Sequence, residues 1–320
     1  MDLLSLTELE FAARLLAPHV PTTPQYAWPT LQRRLGCIVW VKHENHTPIG
    51  AFKVRGGISY LHDFKRQHPD CPGVIAATRG NHGQSVAFAA RRFGVRARIV
   101  VPEGNSVEKN AAMQAWGGEL LVHGRDFQAA LEHAQALAAA EGWHFFPSFH
   151  RKLVQGVATA SLEFFRHAAT LDTVYVPIGL GSGICGALAA RAALQLKVNI
   201  VGVVAAQASC YALSFAAGKS VSTERADTMA DGLACRVPND EALTAIRAGV
   251  ERIVKVSEAE IAEAMRVYFS DTHQVAEGAA AAPLAALLQE RARMQGKQVG
   301  LMFTGSNIDR EVYQRFLAKE

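Results

Sequence analysis

Runs of β-branched and aliphatic residues alternate with helical patterns along most of this 320-residue chain. This alternation predicts strand–helix–strand units, which build parallel sheets with helices on both faces. The predicted strands span 37–42, 73–77, 96–101, 119–122, 173–177, 199–206, 254–256 and 299–303. The predicted helices span 52–66, 82–93, 107–115, 127–141, 153–167, 186–196, 258–269 and 279–290. Because no internal repeat and no low-complexity linker interrupts the pattern, a second domain has to be an insertion in the first.

Composition limits the classes of protein to which the chain can belong. Hydrophobic residues make up 49% and charged residues 19% of the chain, which is ordinary for a globular protein. The net charge is only +4 and no run of basic residues is present, so we expect no nucleic-acid partner. The apolar stretches, such as Ile200–Ala206, are much shorter than the roughly 18 residues that span a bilayer, so we expect no membrane segment.

The N-terminal segment and the cysteines together predict a cytoplasmic protein. Acidic residues interrupt the apolar pattern of residues 1–20, which is typical of a helix capped by Ser5 or Thr7 and not of a signal peptide. The five cysteines are an odd number, are widely spaced and form no CxxC pair. We therefore expect reduced thiols in the core of the protein.

In sheets of this kind, ligands bind beyond the carboxyl ends of strands, and three polar or glycine-rich segments lie at such positions. The first segment runs from His46 to Gly57 and contains Lys53 between Phe52 and Arg55. A lone lysine at a junction between loop and helix is usually a solvated surface residue. An amine that is desolvated beside another cation has a lowered pKa and can form Schiff bases.

The second segment, Thr78 to Ser85, directly follows a predicted strand and opens an alanine-rich helix. Asn and Gly are common in plain turns, and a histidine at the start of a helix is more often a packing or hydrogen-bonding group than a catalytic one. The free N–H groups at the start of the helix can nevertheless bind an anion.

The third segment, Pro177 to Gly186, follows a strand and contains glycines at 179, 181, 183 and 186. Backbone N–H groups in such a loop can converge on a phosphate. Three of the glycines also satisfy the GxGxxG pattern of dinucleotide-binding proteins, which requires an acidic residue at the end of the next strand. Here that strand ends in Val-Ala-Ala-Gln, so the sequence favours a phosphate site over a nicotinamide site.

Together the three segments and the ending Phe303–Asn307 resemble the fold type II pyridoxal-phosphate enzymes, specifically the threonine dehydratase and serine racemase group. The family's lysine motif corresponds to Ala51–Gly56, its SxGNH motif to Thr78–His82, its glycine loop to Gly179–Gly183 and its SGGN ending to Thr304–Asn307. The resemblance implies two open, mostly parallel sheets flanked by helices, with a smaller domain inserted in a larger one. We predict a large domain from residues 1–70 and 150–320 and a small domain from residues 71–149.

The resemblance also implies a role for each matched residue. Lys53 would hold pyridoxal 5'-phosphate as a Schiff base and remove the substrate's Cα proton, with Phe52 packed near the ring. Asn81 would donate a hydrogen bond to the ring hydroxyl, and Thr304 would face the pyridine nitrogen. The phosphate would be bound by the loop residues Gly179, Leu180, Gly181, Ser182 and Gly183. The substrate would be bound by Thr78, Arg79, Gly80, Asn81 and His82.

The function implied by the resemblance is dehydration of a serine- or threonine-like β-hydroxy amino acid to a 2-oxo acid and ammonia. A neutral hydroxyl beside the ring nitrogen leaves that nitrogen unprotonated, which favours prompt loss of a β-substituent over a long-lived carbanion. Three alternatives stay open: a dehydratase for a larger β-substituent, as in 3-phenylserine or 3-hydroxyaspartate, an amino-acid racemase and a nicotinamide-dependent oxidoreductase. We expect a homodimer that acts on a small-molecule amino acid.

Two departures from the racemase-like members of the family bear on these alternatives. Those members place a proton-returning serine where this chain has Arg79, and a guanidinium is a poor proton donor, so we expect little or no racemase activity. Arg79 could also point to solvent, pair with a nearby acid or meet a large β-substituent. The stretch that corresponds to the cation site of those members, residues 203–210, contains no Asp or Glu, so we expect no bound metal.

Overall fold

The structure, a computed structural model, describes residues 4–318. Its strands are β1 (Gln25–Ala27), β2 (Ile38–His43), β3 (Gly73–Ala77), β4 (Arg96–Val101), β5 (Glu119–Val122), β6 (His144–Phe145), β7 (Thr173–Pro177), β8 (Asn199–Ala205), β9 (Arg252–Val256) and β10 (Gln298–Phe303). Its helices are α1 (Leu6–Leu16), α2 (Pro29–Leu35), α3 (Lys53–Gln67), α4 (Asn81–Phe93), α5 (Val107–Ala115), α6 (Phe127–Glu141), α7 (Arg151–His167), α8 (Ser182–Ala193), α9 (Cys210–Ala217), α10 (Asp240–Gly249), α11 (Glu258–Thr272), α12 (Gly278–Gln289) and α13 (Arg310–Leu317).

The larger sheet has six strands in the order β1-β2-β10-β7-β8-β9, and all pairs except β1 with β2 are parallel. Apolar side chains project from both faces of this sheet. One face packs mainly on α2, α11 and α12, and the other packs on α1, α7, α8 and α10. Burial on both faces explains why these strands are nearly continuous hydrophobic runs in the sequence.

The smaller sheet has four parallel strands in the order β5-β4-β3-β6, all from the middle of the chain. Helices α3 and α4 cover one face of the sheet, and the alanine-rich α6 covers the other. Two separate, mostly parallel sheets flanked by helices confirm the predicted fold class. The apolar side of α3 shares its core with this sheet although α3 precedes residue 71, and the predicted division into residues 1–70, 71–149 and 150–320 stays a prediction.

Most predicted elements lie within a few residues of their predicted bounds, and the exceptions have physical reasons. Helix α8 begins at Ser182 instead of 186, because Gly181 adopts a left-handed conformation with φ +101° and starts the helix directly from the glycine loop. The sequence prediction missed β1, β6, α2, α9, α10 and α13, which are all short elements. Ser5 caps α1, and Glu8 completes the predicted capping box.

The cysteines form no disulfide in the structure, and the expectation that they lie in the core fails for Cys71, whereas the half-buried Cys235 packs against the core. Cys37, Cys185 and Cys210 are buried, whereas Cys71 and Cys235 are half-buried at loops. The spacing of cysteines along the chain does not tell whether a cysteine lies near a loop or in a strand or helix. The sequence therefore could not separate the buried cysteines from the half-buried ones.

Candidate active site

Four segments that are distant in sequence meet between the two sheets, at the carboxyl ends of their strands. In the larger sheet β2, β7 and β10 are parallel, so the residues that follow them share one edge. The backbone N–H of Phe52 donates to the carbonyl of Thr304 at 3.0 Å, and Ala51 pairs with Gly305. This pairing attaches the start of α3 to the end of β10 and places the predicted lysine at the sheet edge.

Lys53 is the first residue of α3, and its amine faces the glycine loop. The Nζ atom donates to Ser182 Oγ at 3.0 Å and lies 5.1 Å from the centre of the Phe52 ring. Burial lowers the pKa of Lys53 from 10.5 to about 8. A larger fraction of this amine is therefore unprotonated at neutral pH than for an exposed lysine, and an unprotonated amine is the form that attacks an aldehyde.

The glycine loop connects β7 to α8, and its shape depends on missing side chains. A Cβ on Gly179 would come within 2.0 Å of the carbonyl oxygen of Gly232, and Gly181 has a left-handed φ. The N–H groups of the first turn of α8 face this end of the helix and lack intrahelical acceptors. The loop therefore offers backbone donors for an anion directly beside the Lys53 amine.

The loop between β3 and α4 is held by its own hydrogen bonds. Thr78 is buried, and its Oγ1 accepts from the N–H of Gly80 at 2.9 Å and of Gly83 at 3.2 Å. His82 is buried against Phe146, with ring centres 5.5 Å apart. Burial and the nearby Lys53 charge lower the pKa of His82 to about 3, so its ring is neutral.

Asn81, the first residue of α4, belongs to a cluster of amide and carboxyl groups at the entrance of the site. Its Nδ2 donates to Glu277 Oε1 at 2.7 Å, and its Oδ1 accepts from Asn307 Nδ2 at 2.8 Å. Glu277 is buried, which raises its pKa to about 7. Thr304 is buried directly after β10, three residues before Asn307.

Charged side chains line the entrance beside this cluster. Asp231 accepts from the buried Lys109 Nζ at 2.8 Å through one carboxylate oxygen, and Arg79 Nε lies 3.4 Å from the other. The stem of Lys109 packs on Gly80, where a Cβ would come within 2.5 Å of Lys109 Cδ. The structure thus pairs Arg79 with an acid, which was one of the possibilities left open by the sequence, and leaves 44% of its side chain exposed.

The residues that meet here fit pyridoxal phosphate. The group needs an amine for its aldehyde, backbone donors for its phosphate and a donor for its ring oxygen. Lys53 supplies the amine, the loop Gly179–Gly183 supplies the backbone N–H groups, and Asn81 has a side-chain N–H beyond the one that it donates to Glu277.

Comparison with known proteins agrees with this chemistry. Residues 16–305 match the model of the pyridoxal-phosphate dependent enzyme family. The chain belongs to this family. The predicted resemblance, fold class and cofactor are thereby confirmed.

Individual members of the family are similar to the chain over most of its length. The L-threo-3-hydroxyaspartate ammonia-lyase of a Pseudomonas species is 31% identical over 318 residues, which cover 99% of both proteins. The biosynthetic L-threonine dehydratase of Pasteurella multocida is 30% identical over 290 residues, which cover 90% of this chain and 56% of that enzyme. The chain therefore spans about half the length of that relative. Among solved structures, a threonine deaminase from T.th. has a TM-score of 0.89 and 32% identity, covering 96% of this chain and 99% of that one.

The GxGxxG pattern has a different explanation in the structure from a dinucleotide site. Its third glycine, Gly186, lies inside α8, where a Cβ would come within 3.0 Å of the backbone of Ala158 in α7. This glycine allows two helices to pack closely and does not form a turn. The family match and this packing leave the nicotinamide alternative without support.

Other sequence expectations concern metals and membranes. Within residues 4–318, no group of three or more His, Cys, Asp or Glu side chains is arranged to hold a metal ion. In the same range, no helix is long and apolar enough to cross a membrane. The homodimeric state and the cytoplasmic location stay predictions.

Sequence reasoning assigned no role to four residues of the site, namely Lys109, Asp231, Glu277 and Asn307. Asn307 lies in the Thr304–Asn307 ending that the resemblance matched, but no pattern told which atoms it contacts. Lys109 has no motif of its own and is an ordinary lysine on a predicted helix. Its position beside Asp231 could not be foreseen, because the two residues are 122 positions apart.

Proposed function

We propose that this chain is a pyridoxal-phosphate-dependent ammonia-lyase that dehydrates β-hydroxy amino acids of the serine and threonine type. The observation that carries the proposal is the Lys53 amine, which lies 3.0 Å from Ser182 Oγ at the start of α8 and has a pKa lowered to about 8. The activities named for the similar proteins, a 3-hydroxyaspartate ammonia-lyase and a threonine dehydratase, support the same class of reaction.

Each residue of the site has a separate role in the proposed reaction. When bound, pyridoxal phosphate supplies an aldehyde for the substrate amine and an electron-withdrawing ring that acidifies the Cα–H bond. Lys53 would hold the cofactor through its aldehyde group, and its free amine would take the proton from the substrate's Cα. The loop Gly179–Gly183 would hold the phosphate, Asn81 would donate to the ring oxygen, and the Phe52 ring would pack beside the cofactor. The Thr304 hydroxyl would be the neutral partner of the ring nitrogen, which favours an unprotonated nitrogen.

The substrate binds at the start of α4. The residues Thr78, Arg79, Gly80, Asn81 and His82 surround the N-terminal N–H groups of this helix, which favour a carboxylate. Removal of the Cα proton and of the β-hydroxyl releases water and gives an enamine. The enamine tautomerises to an imine, and a second water hydrolyses the imine to a 2-oxo acid and ammonia.

Substitution of the lysine tests the proposal. We expect Lys53→Ala to abolish both the visible absorbance of the Schiff base and the release of 2-oxo acid and ammonia from serine and threonine, because one amine serves both purposes. Lys219→Ala, which changes an exposed lysine after α9, is the matched control and should behave as the parent. A Lys53→Ala protein that still turns over substrate, or a parent that binds no pyridoxal phosphate, would show the proposal to be wrong.

Arg79 favours substrates with a larger β-substituent, acidic or aromatic, alongside or ahead of threonine. Its guanidinium lies at the entrance, and with Lys109 it places two positive charges around the single carboxylate of Asp231. An acidic β-substituent can exchange with Asp231 as the partner of Arg79, and an aromatic one can stack on the planar guanidinium.

Values of kcat/KM for serine, threonine, 3-hydroxyaspartate and 3-phenylserine test this substrate choice. We expect Arg79→Ser to lose the preference for the acidic or aromatic substrate, and chiral analysis of the parent to find little or no D-serine. An unchanged ranking of the four substrates in the variant would show that Arg79 does not determine the choice of substrate. Rapid racemisation by the parent would contradict the absence of a second proton-transfer group.

A further inference from the structure

The orientation of the Asn307 amide is determined by a backbone carbonyl. Asn307 Nδ2 lies 2.8 Å from the carbonyl oxygen of Ile49 and 2.8 Å from Asn81 Oδ1. A carbonyl can only accept a hydrogen bond, so the group that faces it has to be the NH2 and not the oxygen of the amide. The usual ambiguity between the two ends of an asparagine side chain therefore does not exist here.

The orientation of Asn307 determines the orientation of Asn81 in turn. Each N–H of Asn307 has one acceptor, and the second acceptor is the Asn81 oxygen. The NH2 group of Asn81 consequently points away from Asn307 and donates one N–H to Glu277 Oε1 at 2.7 Å. Within residues 4–318 no acceptor takes its second N–H.

The surroundings oppose the reverse arrangement. If Asn81 turned its oxygen toward Glu277, its NH2 would face the NH2 of Asn307, and two donors would meet. Glu277 is buried, so solvent does not replace the hydrogen bond that its carboxyl group would lose. Donors and acceptors without partners in such a packed cluster are costly.

We propose that Asn307 is a positioning residue that fixes the Asn81 amide with one N–H free for the ring oxygen of the cofactor. The inference rests on the proposed function, because it requires pyridoxal phosphate to bind at Lys53. The line of hydrogen bonds from Ile49 through Asn307 to Asn81 keeps a donor, and not an acceptor, at the ring oxygen. A donor stabilises the phenolate form of that oxygen and so sets the absorbance of the bound cofactor.

The double variant Asn307→Asp with Glu277→Gln tests this proposal at the same formal charge as the parent. The new carboxylate at position 307 would accept from Asn81, and the new amide at position 277 can donate to Asn81, so both hydrogen bonds of Asn81 are kept but reversed, while the Ile49 carbonyl loses its donor. We expect the holoprotein to fold with a melting temperature lowered by several degrees, because the Ile49 carbonyl is left without a donor. We expect the affinity for pyridoxal phosphate to fall about tenfold or more and the visible absorption maximum to shift, because the ring oxygen loses its donor.

Two further variants separate the effect of hydrogen-bond direction from the effects of charge and of packing. Glu277→Gln alone can still accept from Asn81, so it should keep the parent's absorption maximum although a buried charge is removed. Asn45→Asp is the matched control, since Asn45 Nδ2 donates to Gln274 Oε1 at 2.9 Å in an amide pair outside the site. It should bind the cofactor with the parent's spectrum.

A double variant with the parent's affinity and absorption maximum would overturn the assignment of Asn307. If the double variant does not fold, Asn307→Asp alone gives the same spectral test, with Glu277→Gln as its reference. A parent that shows no Schiff-base absorbance would instead overturn the proposed function itself, together with this inference. The two failures are therefore distinguishable in one series of spectra.

Discussion

Burial makes the pKa of Glu277 differ between the folded and the unfolded protein. Removal from water raises its pKa from 4.5 to about 7, although Lys109 and the hydrogen bond from Asn81 act in the opposite direction. In the unfolded chain this carboxyl releases its proton near its ordinary pKa, whereas in the folded protein it keeps the proton until higher pH. Its contribution to stability is therefore fully present below pH 4.5 and is lost as the pH rises toward 7.

Glu277→Gln should remove this part of the pH dependence. Between about pH 4.5 and 8, we expect the free energy of unfolding of the parent, relative to that of the variant, to fall by about 3 kcal/mol. Urea unfolding of both proteins at several pH values in this window measures the difference. Parallel pH profiles for parent and variant would show that Glu277 titrates in the folded protein as it does in water.

At the scale of elements, a buried ion cluster holds α3 in place below the site. Arg55 bonds Glu44 at 2.7 Å and Glu163 at 2.7 Å, and Lys42 bonds the second oxygen of Glu163 at 2.6 Å. The four charges balance, and Lys42, Glu44 and Arg55 are almost completely buried. The cluster connects β2, α3 and α7, so it fixes the helix whose first residue is Lys53.

Glu44→Gln should destabilise the protein strongly, because it leaves part of the Arg55 charge buried without its partner. We expect a loss of about 3–5 kcal/mol in the free energy of unfolding. Glu10→Gln is the matched control: it breaks the exposed ion pair with Arg166, and we expect a loss of about 1 kcal/mol or less. Equal losses in denaturant titrations of the two variants would contradict the role assigned to the cluster.

A second prediction at the scale of elements concerns the glycine loop Gly179–Gly183, because its glycines have different surroundings. Gly179→Ala would place a Cβ 2.0 Å from the Gly232 carbonyl, whereas Gly183→Ala would only touch Phe52 at 3.4 Å. We expect Gly179→Ala to lower the melting temperature and Gly183→Ala to keep it. Both should weaken pyridoxal-phosphate binding, the second because its methyl group lies where the phosphate approaches the backbone. Parent-like affinity of Gly183→Ala would place the phosphate elsewhere.

At the scale of the whole molecule, α5 connects the two halves. It follows the smaller sheet's strand β4, but its Lys109 bonds Asp231, and Asp309 at the start of α13 accepts from Ser106 and from the N–H of Glu108. The N–H of Arg310 donates back to the Glu108 carboxylate at 2.9 Å. These contacts cross from one sheet to the other beside the entrance of the site.

Asp309→Ala should loosen this connection. We expect faster amide hydrogen exchange in the first turn of α5, with little change in the strands of the larger sheet, because the lost acceptors belong to one end of one helix. Asp240→Ala, which changes an acid in the first turn of α10, is the control and should leave exchange in α5 unchanged. Exchange in α5 that stays at the parent's rate would show that the remaining contacts hold it.

Local sequence determined the elements and the motif positions of this protein. Continuous apolar runs in strands, period-3.6 patterns in helices, glycines at turns and polar segments after strands depend on neighbours within a few residues, so they could be predicted without knowing the fold. The resemblance carried by Lys53, the glycine loop and Asn81 identified the family from residues in order along the chain. Elements without such a pattern, such as β1, β6 and α2, were missed.

Tertiary structure alone decided which side chains meet. Asn81 and Glu277 are 196 positions apart, Asn81 and Asn307 are 226 apart, and Lys109 and Asp231 are 122 apart. Their hydrogen bonds, the raised pKa of Glu277 and the pairing of Arg79 exist only after the two sheets pack against each other. A hydrogen bond requires atoms about 3 Å apart in a fixed direction, and sequence spacing does not encode that geometry between distant segments.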